Sequence, residues 1–508
     1  MAIIGKLIKK TTEISYRINA KKGIEYGHQL ESLRSLLDTA KNTKFGLYHS
    51  FHEFVQKPDM VSHFQKNVPI WSYEDYYEKW LKETIAGAKD HTWKGKIKYF
   101  ALSSGTTGSP SKRIPITLEM IRSFQRTSMR QLSILHELHL SENFYSASVL
   151  TVGGSTKLIK KGKHIEGDLS GILKKHTSLI VTPFTKPGNR ITAIKDWNEK
   201  LKLIIEKAPK WNIGIIAGIP SWCILLMERI VEHYNLNNIH EMWPNMDVYV
   251  HGGVFMEPYV ERLKKISGKK INLLDTYLAS EGYFAYQTSL KANGMKLLLN
   301  NGIFFEFVPF NSNYFDENGE LINQHEAFTI SQVKVGVDYA LLISTNAGLW
   351  RYLIGDLVQF TNVETYEIKI TGRIKQFLSL CGEHLSLDNI NQALLAVSKE
   401  MKVGISEYTI YADAENSQHK WYIGYQNEFD QELFAKLMDE KLSVLNDDYA
   451  YVRKYNLQTP CFNFLPAQKF YDFLESLGKI GAQNKMPRVL NKVQSEKWIR
   501  FLSEASST

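Results

Sequence analysis

The chain has 508 residues, 44% of them hydrophobic and 23% charged, with a formal net charge of +9. That length holds several domains with large cores and makes no demand for covalent staples. The three cysteines, Cys223, Cys381 and Cys461, lie too far apart for a disulfide scaffold or a thiolate zinc site, and a reducing cytoplasm suits them.

Taken from the start, the first 23 residues carry basic side chains inside their only apolar stretch, so no secretory leader is expected. No run approaches the ~18 apolar residues that a membrane span needs. Residues 30–40 (LESLRSLLDTA) have helical apolar spacing, and 97–102 (IKYFAL) reads as a buried strand entering a Ser/Gly/Thr loop. Residues 116–138 are predicted as one long helix with Thr117 as its cap, and 221–234 as another capped by Ser221. The basic run at 157–164 is the densest on the chain; elsewhere lysines are single or paired, unlike the stripe of a nucleic-acid binder. A strand is predicted at 246–253 ending in a glycine turn, two apolar runs around a turn at 271–287, and strands at 303–310 and 340–346. The pattern restarts after Gln376. The alternation of helices and strands gives an α/β fold, with a large N-terminal domain over 1–371, a small C-terminal domain over 372–508, and a hinge near 371–376.

Four segments carry chemistry. In LSSGTTGSPSKRIPIT (102–117) a strand delivers seven consecutive small residues, Ser103 to Ser109, whose backbone N–H groups and hydroxyls suit the phosphates of ATP; Lys112 and Arg113 add charge. The spacing is not that of a Walker A loop. In DTYLASEGYFAY (275–286), Glu281 sits in a turn between apolar runs, where a carboxylate beside a triphosphate binds Mg²⁺; Tyr277 is placed to pack on a planar base. In GLWRYLIGDLVQF (348–360), Asp356 interrupts an apolar stretch, so it needs partners or a function such as gripping ribose hydroxyls. Arg351 is a candidate for a phosphate or carboxylate, with a structural ion pair as the alternative. In ITGRIKQFLSLCGEHLSL (370–387), glycines flank Arg373 and Lys375 at the proposed hinge.

In this order, the four segments resemble those of the acyl-adenylate-forming enzymes. KNTKFGLYHSF (41–51), VPIWSYEDYYEKW (68–80), WRYLIGD and QNKMPRV (483–489) narrow the resemblance to the auxin-responsive acyl-acid amido synthetase family, and the HGG and ASEGYF forms look more like its bacterial members. The resemblance covers roughly 29–490. It implies activation of a carboxylic acid by ATP with Mg²⁺, then transfer to an amino acid; transfer to coenzyme A, or a silent nucleotide-binding module, are the rival readings. By position it places Ser103, Ser104, Gly105, Thr106 and Thr107 on phosphates, Gly252 and Gly253 against adenine beside Tyr277, and Ser280 and Glu281 at the α-phosphate and Mg²⁺. Asp356 falls on the ribose, with Arg373 also on the nucleotide and Lys375 at the hinge. Lys485 and Lys479 compete for the role of the lysine that reaches the active site. Leu353 stands where plant members have arginine, two residues from Arg351. His251 reads as structural, with a base for the incoming amine as the alternative. The acyl pocket is expected from the 116–138 helix and 214–227, with Trp222 and Met227 shaping it for an apolar or aryl acid. No nucleic-acid partner is expected, and the chain is expected to be a monomer or homodimer.

Overall fold

The computed structural model describes residues 26–103, 112–177, 181–253, 256–316, 319–374, 385–425, 427–478 and 485–505, with 9, 10, 12, 13, 378, 380 and 383. Its fold is α/β, with a large N-terminal domain and a smaller C-terminal one. Among the described residues, an eleven-stranded sheet runs through the large domain. Its parallel part orders Asn272–Ala279, Val248–Gly252, Ile213–Gly218, Ser148–Val152 and Thr185–Lys186. Its antiparallel part joins Ile303–Pro309, Asp338–Thr345, Tyr352–Asn362 and Glu367–Arg373, and reaches the parallel part through Met295–Leu297 and Gly282–Tyr286. A four-stranded sheet, Lys112–Ile116, Tyr99–Ser103, His164–Gly167 and Ile159–Lys161, lies beside it.

Each half of the long sheet is covered by helices whose apolar faces the sequence supplies. Helix Gly27–Ala40 buries Leu33, Leu36 and Leu37, an i, i+3, i+4 stripe, in a core shared with Phe45, Phe51 and Trp350. Helix Pro220–His233 buries Trp222, Leu226, Met227 and Ile230 against the parallel strands. The C-terminal domain has its own core around Trp421, between strands Ile405–Asp413, Gln418–Tyr425 and Cys461–Pro466 and helices Leu387–Met401 and Gln431–Leu445.

Two helix expectations are adjusted. The long helix begins as expected, with Thr117 Oγ1 accepting from Met120 N at 3.1 Å, but its α-helical part is Leu118–Gln131 and it tightens into a 3₁₀ turn over Leu132–Leu138. The second starts one residue before Ser221: Pro220 takes the first helical position, where its missing N–H costs nothing, and Ser221 is buried within the first turn. Among the described residues no helix is long and apolar enough to cross a membrane.

Candidate functional site

The carboxyl ends of the parallel strands open into a cleft of roughly 1140 Å³, the place where open α/β sheets bind ligands. Its floor is backbone. Strand Val248–Gly252 ends so close to its neighbour that a Cβ on Gly252 would lie 2.4 Å from Thr276 O, and Gly253 turns away at φ +80°. Only glycines allow a flat ligand to lie against this edge.

One wall is a chain of hydrogen bonds. The Tyr277 hydroxyl donates to Asp356 Oδ2 at 2.6 Å, and Arg373 Nε donates to Asp356 Oδ1 at 2.6 Å. The register of the sheet sets this up, because Asp356 and Arg373 are paired opposite one another. Each carboxylate oxygen has a further acceptor position, so Asp356 keeps capacity for a ligand diol. Arg373 is held charged, first by the Asp356 carboxylate beside it.

Glu281 occupies the turn between Asn272–Ala279 and Gly282–Tyr286, next to Ser280, and both line the cleft. It is 6% exposed and, among the described residues, has no ion pair. Burial is the main force pushing its carboxyl up to about 7, helped by Asp356; its own backbone N–H, Lys112 and Arg373 pull the other way. Lys485 enters from the opposite side, its Nζ donating to Gly253 O. The Lys485 side chain is exposed, but it opens onto the enclosed cleft rather than onto bulk solvent. Removal from bulk water, then Arg373 and Arg488, draw its pKa down to about 8, against the attraction of Asp356.

Ser103 also lines the cleft and pairs with Lys112, so the two strands on either side of residues 104–111 come together beside it. Their base is anchored by Glu166, 2% exposed, which accepts from Arg113 Nε at 2.9 Å and pairs with Lys161 at 2.6 Å and His164 at 3.3 Å. Burial alone would raise the Glu166 carboxyl, but the bonds from Lys161, Arg113 and His164 take it down to about 2. Ser104, Gly105, Thr106, Thr107, Lys375 and Lys479 lie outside the described residues.

Family models for the N-terminal, central and C-terminal domains of the GH3 family match residues 26–157 with 143–272, 296–373 and 388–494 respectively. The chain belongs to the GH3 family. Jasmonoyl–L-amino acid synthetase JAR6 of Nicotiana attenuata is 25% identical across 85% of this chain and 86% of its own length. Indole-3-acetic acid-amido synthetase GH3.2 of Arabidopsis thaliana is 27% identical across 35% of this chain and 34% of its own length. The chain thus spans about a third of the length of the first curated relatives it matches. In fold it is similar to GH3.15 acyl acid amido synthetase, with a TM-score of 0.74 at 16% identity over 99% of this chain and 96% of that one. A 2-hydroxyisobutyryl-CoA ligase in complex with 2-HIB-AMP follows at 0.61 and 13%, over 94% and 92%. The fold is therefore that of the acyl-adenylate-forming enzymes.

In this GH3 chain Gly252, Gly253, Tyr277, Ser280, Glu281, Asp356, Arg373, Lys485 and Ser103 meet in one cleft. Arg351 does not. It is fully buried and its guanidinium is spent elsewhere: Nε and Nη2 on Glu306 at 3.0–3.2 Å, Nη1 on Val68 O at 2.7 Å and Gln65 O at 2.9 Å, and Nη2 also on His325 O at 3.0 Å. Its catalytic assignment is corrected to a structural one. Replacing it by leucine strands Glu306, itself 1% exposed, so Arg351→Leu is expected to cost about 3–5 kcal/mol in a denaturant melt. The paired change Arg351→Leu with Glu306→Leu is expected to recover much of that loss, since no lone buried charge remains.

Trp222 and Met227 are core residues, Trp222 packed edge-on to Trp197 at 5.1 Å, and neither lines the cleft. The surfaces that do line it from the expected segments are Ser128, Gln131, Ala217, Gly218 and Ile219, joined by Trp197. His251 is 7% exposed with Nδ1 3.5 Å from Asp275 Oδ1, and burial draws its pKa down to about 4. It is neutral at neutral pH and far too weak a base to deprotonate an ammonium group. Sequence reasoning missed Arg488: its partners Glu407 and Tyr259 are 81 and 229 residues away, so no local pattern marks it.

Proposed function

We propose that this protein activates a carboxylic acid with ATP as an acyl adenylate and transfers the acyl group to the amine of an amino acid. The observation that carries this reading is the convergence of Glu281, the Tyr277–Asp356–Arg373 chain and Lys485 on one glycine-floored cleft. Names of its relatives agree: one is a jasmonoyl–L-amino acid synthetase and one an indole-3-acetic acid-amido synthetase.

Adenine lies on the Gly252–Gly253 edge beside Tyr277. Asp356, held rigid by Tyr277 and Arg373, accepts from the ribose hydroxyls. The triphosphate extends toward Ser103 and the loop after it, Ser104, Gly105, Thr106 and Thr107. A buried carboxylate with no ion pair suits a divalent cation, and no group of three or more His, Cys, Asp or Glu able to hold a metal occurs among the described residues. Glu281 would supply a carboxylate oxygen to Mg²⁺, with phosphate and water oxygens among the other ligands. Bound there, the ion supplies neutralisation of the phosphate charge. The substrate carboxylate attacks the α-phosphorus, a P–O bond forms, and pyrophosphate leaves with the bonding pair. Lys485 and Arg373 meet the charge that builds on the α-phosphate oxygens. In the second half-reaction the free amine attacks the adenylate carbonyl carbon, AMP leaves, and the amine proton passes to solvent. The small domain, which we take to begin at residue 372 and to turn about a hinge that includes Lys375, carries Lys485 into and out of the cleft.

A pyrophosphate-release screen over carboxylic acids, run with and without amino acids and with mass spectrometry of the products, tests this. Acid-dependent pyrophosphate release with an amide product is expected. ATP binding without release for any acid would overturn the adenylation step, and a thioester formed with coenzyme A in place of the amide would reassign the acceptor.

A further inference from the structure

The segment that carries Lys485 is held from two sides. On one side it runs along strand Ile405–Asp413 of the small domain. Thr409 Oγ1 donates to Pro487 O at 2.7 Å, Ile410 N donates to Arg488 O at 2.9 Å, and Leu490 N donates to Ile410 O at 2.7 Å. Lys485 therefore moves with the small domain. On the other side stands helix Glu257–Lys265 of the large domain, which presents Tyr259 and Arg262.

Between them lies a buried polar cluster. The Tyr259 hydroxyl donates to Glu407 Oε1 at 2.8 Å and accepts from Arg488 Nη2 at 3.0 Å. Arg488 Nη1 donates to Glu407 Oε2 at 2.8 Å and to Tyr408 O at 3.0 Å, and its guanidinium lies 4.5 Å from the centre of the Tyr408 ring. Tyr471 donates to Glu407 Oε1 at 3.3 Å and accepts from Arg262 Nη1 at 3.3 Å, while Arg262 forks onto Glu228 at 3.0 and 2.7 Å. Two arginines balance two carboxylates. Each ion pair lies within one domain, Arg262–Glu228 in the large and Arg488–Glu407 in the small. The bonds of this cluster that cross are those of the Tyr259 hydroxyl with Glu407 and Arg488 and of Arg262 with the Tyr471 hydroxyl, and any other docking angle leaves these polar groups without those partners. The cluster selects one geometry of the domains. In that geometry Arg488, three residues from Lys485 and separated from it by Met486 and Pro487, fixes where the lysine enters the cleft.

We propose that Arg488, gripped by Glu407 and Tyr259, is a positioning residue for Lys485, and that this cluster latches the two domains in the state that performs adenylation. The proposal rests on the adenylation reading above. Tyr259 is the only member of the Arg488–Glu407–Tyr259 contact drawn from the large domain, so its hydroxyl, with the Arg262–Tyr471 bond, is where the latch opens when the small domain turns.

The test uses the full chain with Tyr259→Phe and Arg488→Lys, each alone and combined with Lys485→Met. Both retain bulk, and the second retains charge while losing the planar fork. With wild-type Lys485, each change is expected to lower kcat for pyrophosphate release about tenfold while KM for ATP moves less than about threefold, the mark of a contact that matters at the transition state. In the Lys485→Met background the same changes are expected to lower kcat no further, because residues that act through one group are not additive. Equal fold-losses in both backgrounds would overturn the proposal. Hydrogen exchange across 486–490 is expected to accelerate in both variants; unchanged exchange would overturn it too. If wild type releases no pyrophosphate with any acid, the adenylation reading falls by itself, and the exchange measurement still decides whether the cluster holds the segment.

Discussion

Glu281→Gln is expected to lower acid-dependent pyrophosphate release by about 10²–10³, the usual loss when one charged partner of a phosphoryl transition state is removed. The same change is expected to stabilise the metal-free protein at pH 8. Burial pushes the Glu281 carboxyl up to about 7 from an ordinary 4.5, so the folded chain binds this proton more tightly than the unfolded chain does. The stability this group contributes is complete below about 4.5 and is lost as pH rises through about 7. At pH 8 the folded protein holds a buried carboxylate without an ion pair, at a cost on the order of 1–3 kcal/mol. Glutamine removes that cost and keeps the shape. Thermal melts of both proteins in a chelator at pH 5 and pH 8 check this: the variant is expected to gain on wild type at pH 8. A gap that does not change with pH would show that the carboxylate is solvated, and pyrophosphate release close to wild type would remove Glu281 from the site.

What the sequence made legible depended on distance along the chain. The Thr117 cap, the Ser280–Glu281 turn and the Gly252–Gly253 strand end are local, and each residue type serves its position through bonds to near neighbours or through its own backbone freedom. The helix expected over 116–138 tightens to 3₁₀ over Leu132–Leu138 and ends at His139 in the left-handed region, a change that its apolar spacing does not mark. Arg351 and Asp356 are five residues apart in one motif, and on sequence alone both are candidates for ligand contact. Their fates part because Arg351 points into the core toward Glu306, whereas Asp356, just after Gly355 at φ +92°, faces the cleft. No pattern in one segment distinguishes those directions. Nor could spacing reveal that Tyr277 meets Asp356 across 79 residues, or that Lys485 meets Gly253 across 232. Those contacts are made by sheet register and by the docking of the small domain.

Lys485→Met is expected to lower pyrophosphate release by about 10²–10³, and the pH profile of wild type is expected to identify the lysine as the group responsible. Removal from water, with Arg373 and Arg488 nearby, draws Lys485 down to about 8, so its ammonium is lost at a pH where an ordinary lysine keeps it. The sign follows. With the cleft empty, raising pH through about 8 discharges the cation that must meet the triphosphate, and kcat/KM for ATP is expected to fall. Once ATP is bound, its negative charge favours the ammonium and moves that pKa upward, so kcat is expected to stay level over the same range. Lys485→Arg keeps a permanent charge at this position, and its kcat/KM is expected to lose the fall near pH 8 even if its absolute rate is lower. A fall of the same size and midpoint in the arginine variant would assign the titration to another group. A Lys485→Met variant with near wild-type kcat would remove the lysine from the chemistry and leave Arg373 as the described cation facing the phosphates. The pH profile thus separates a lysine that merely bonds Gly253 O, and whose charge would be immaterial to ATP capture, from one whose charge draws the nucleotide in.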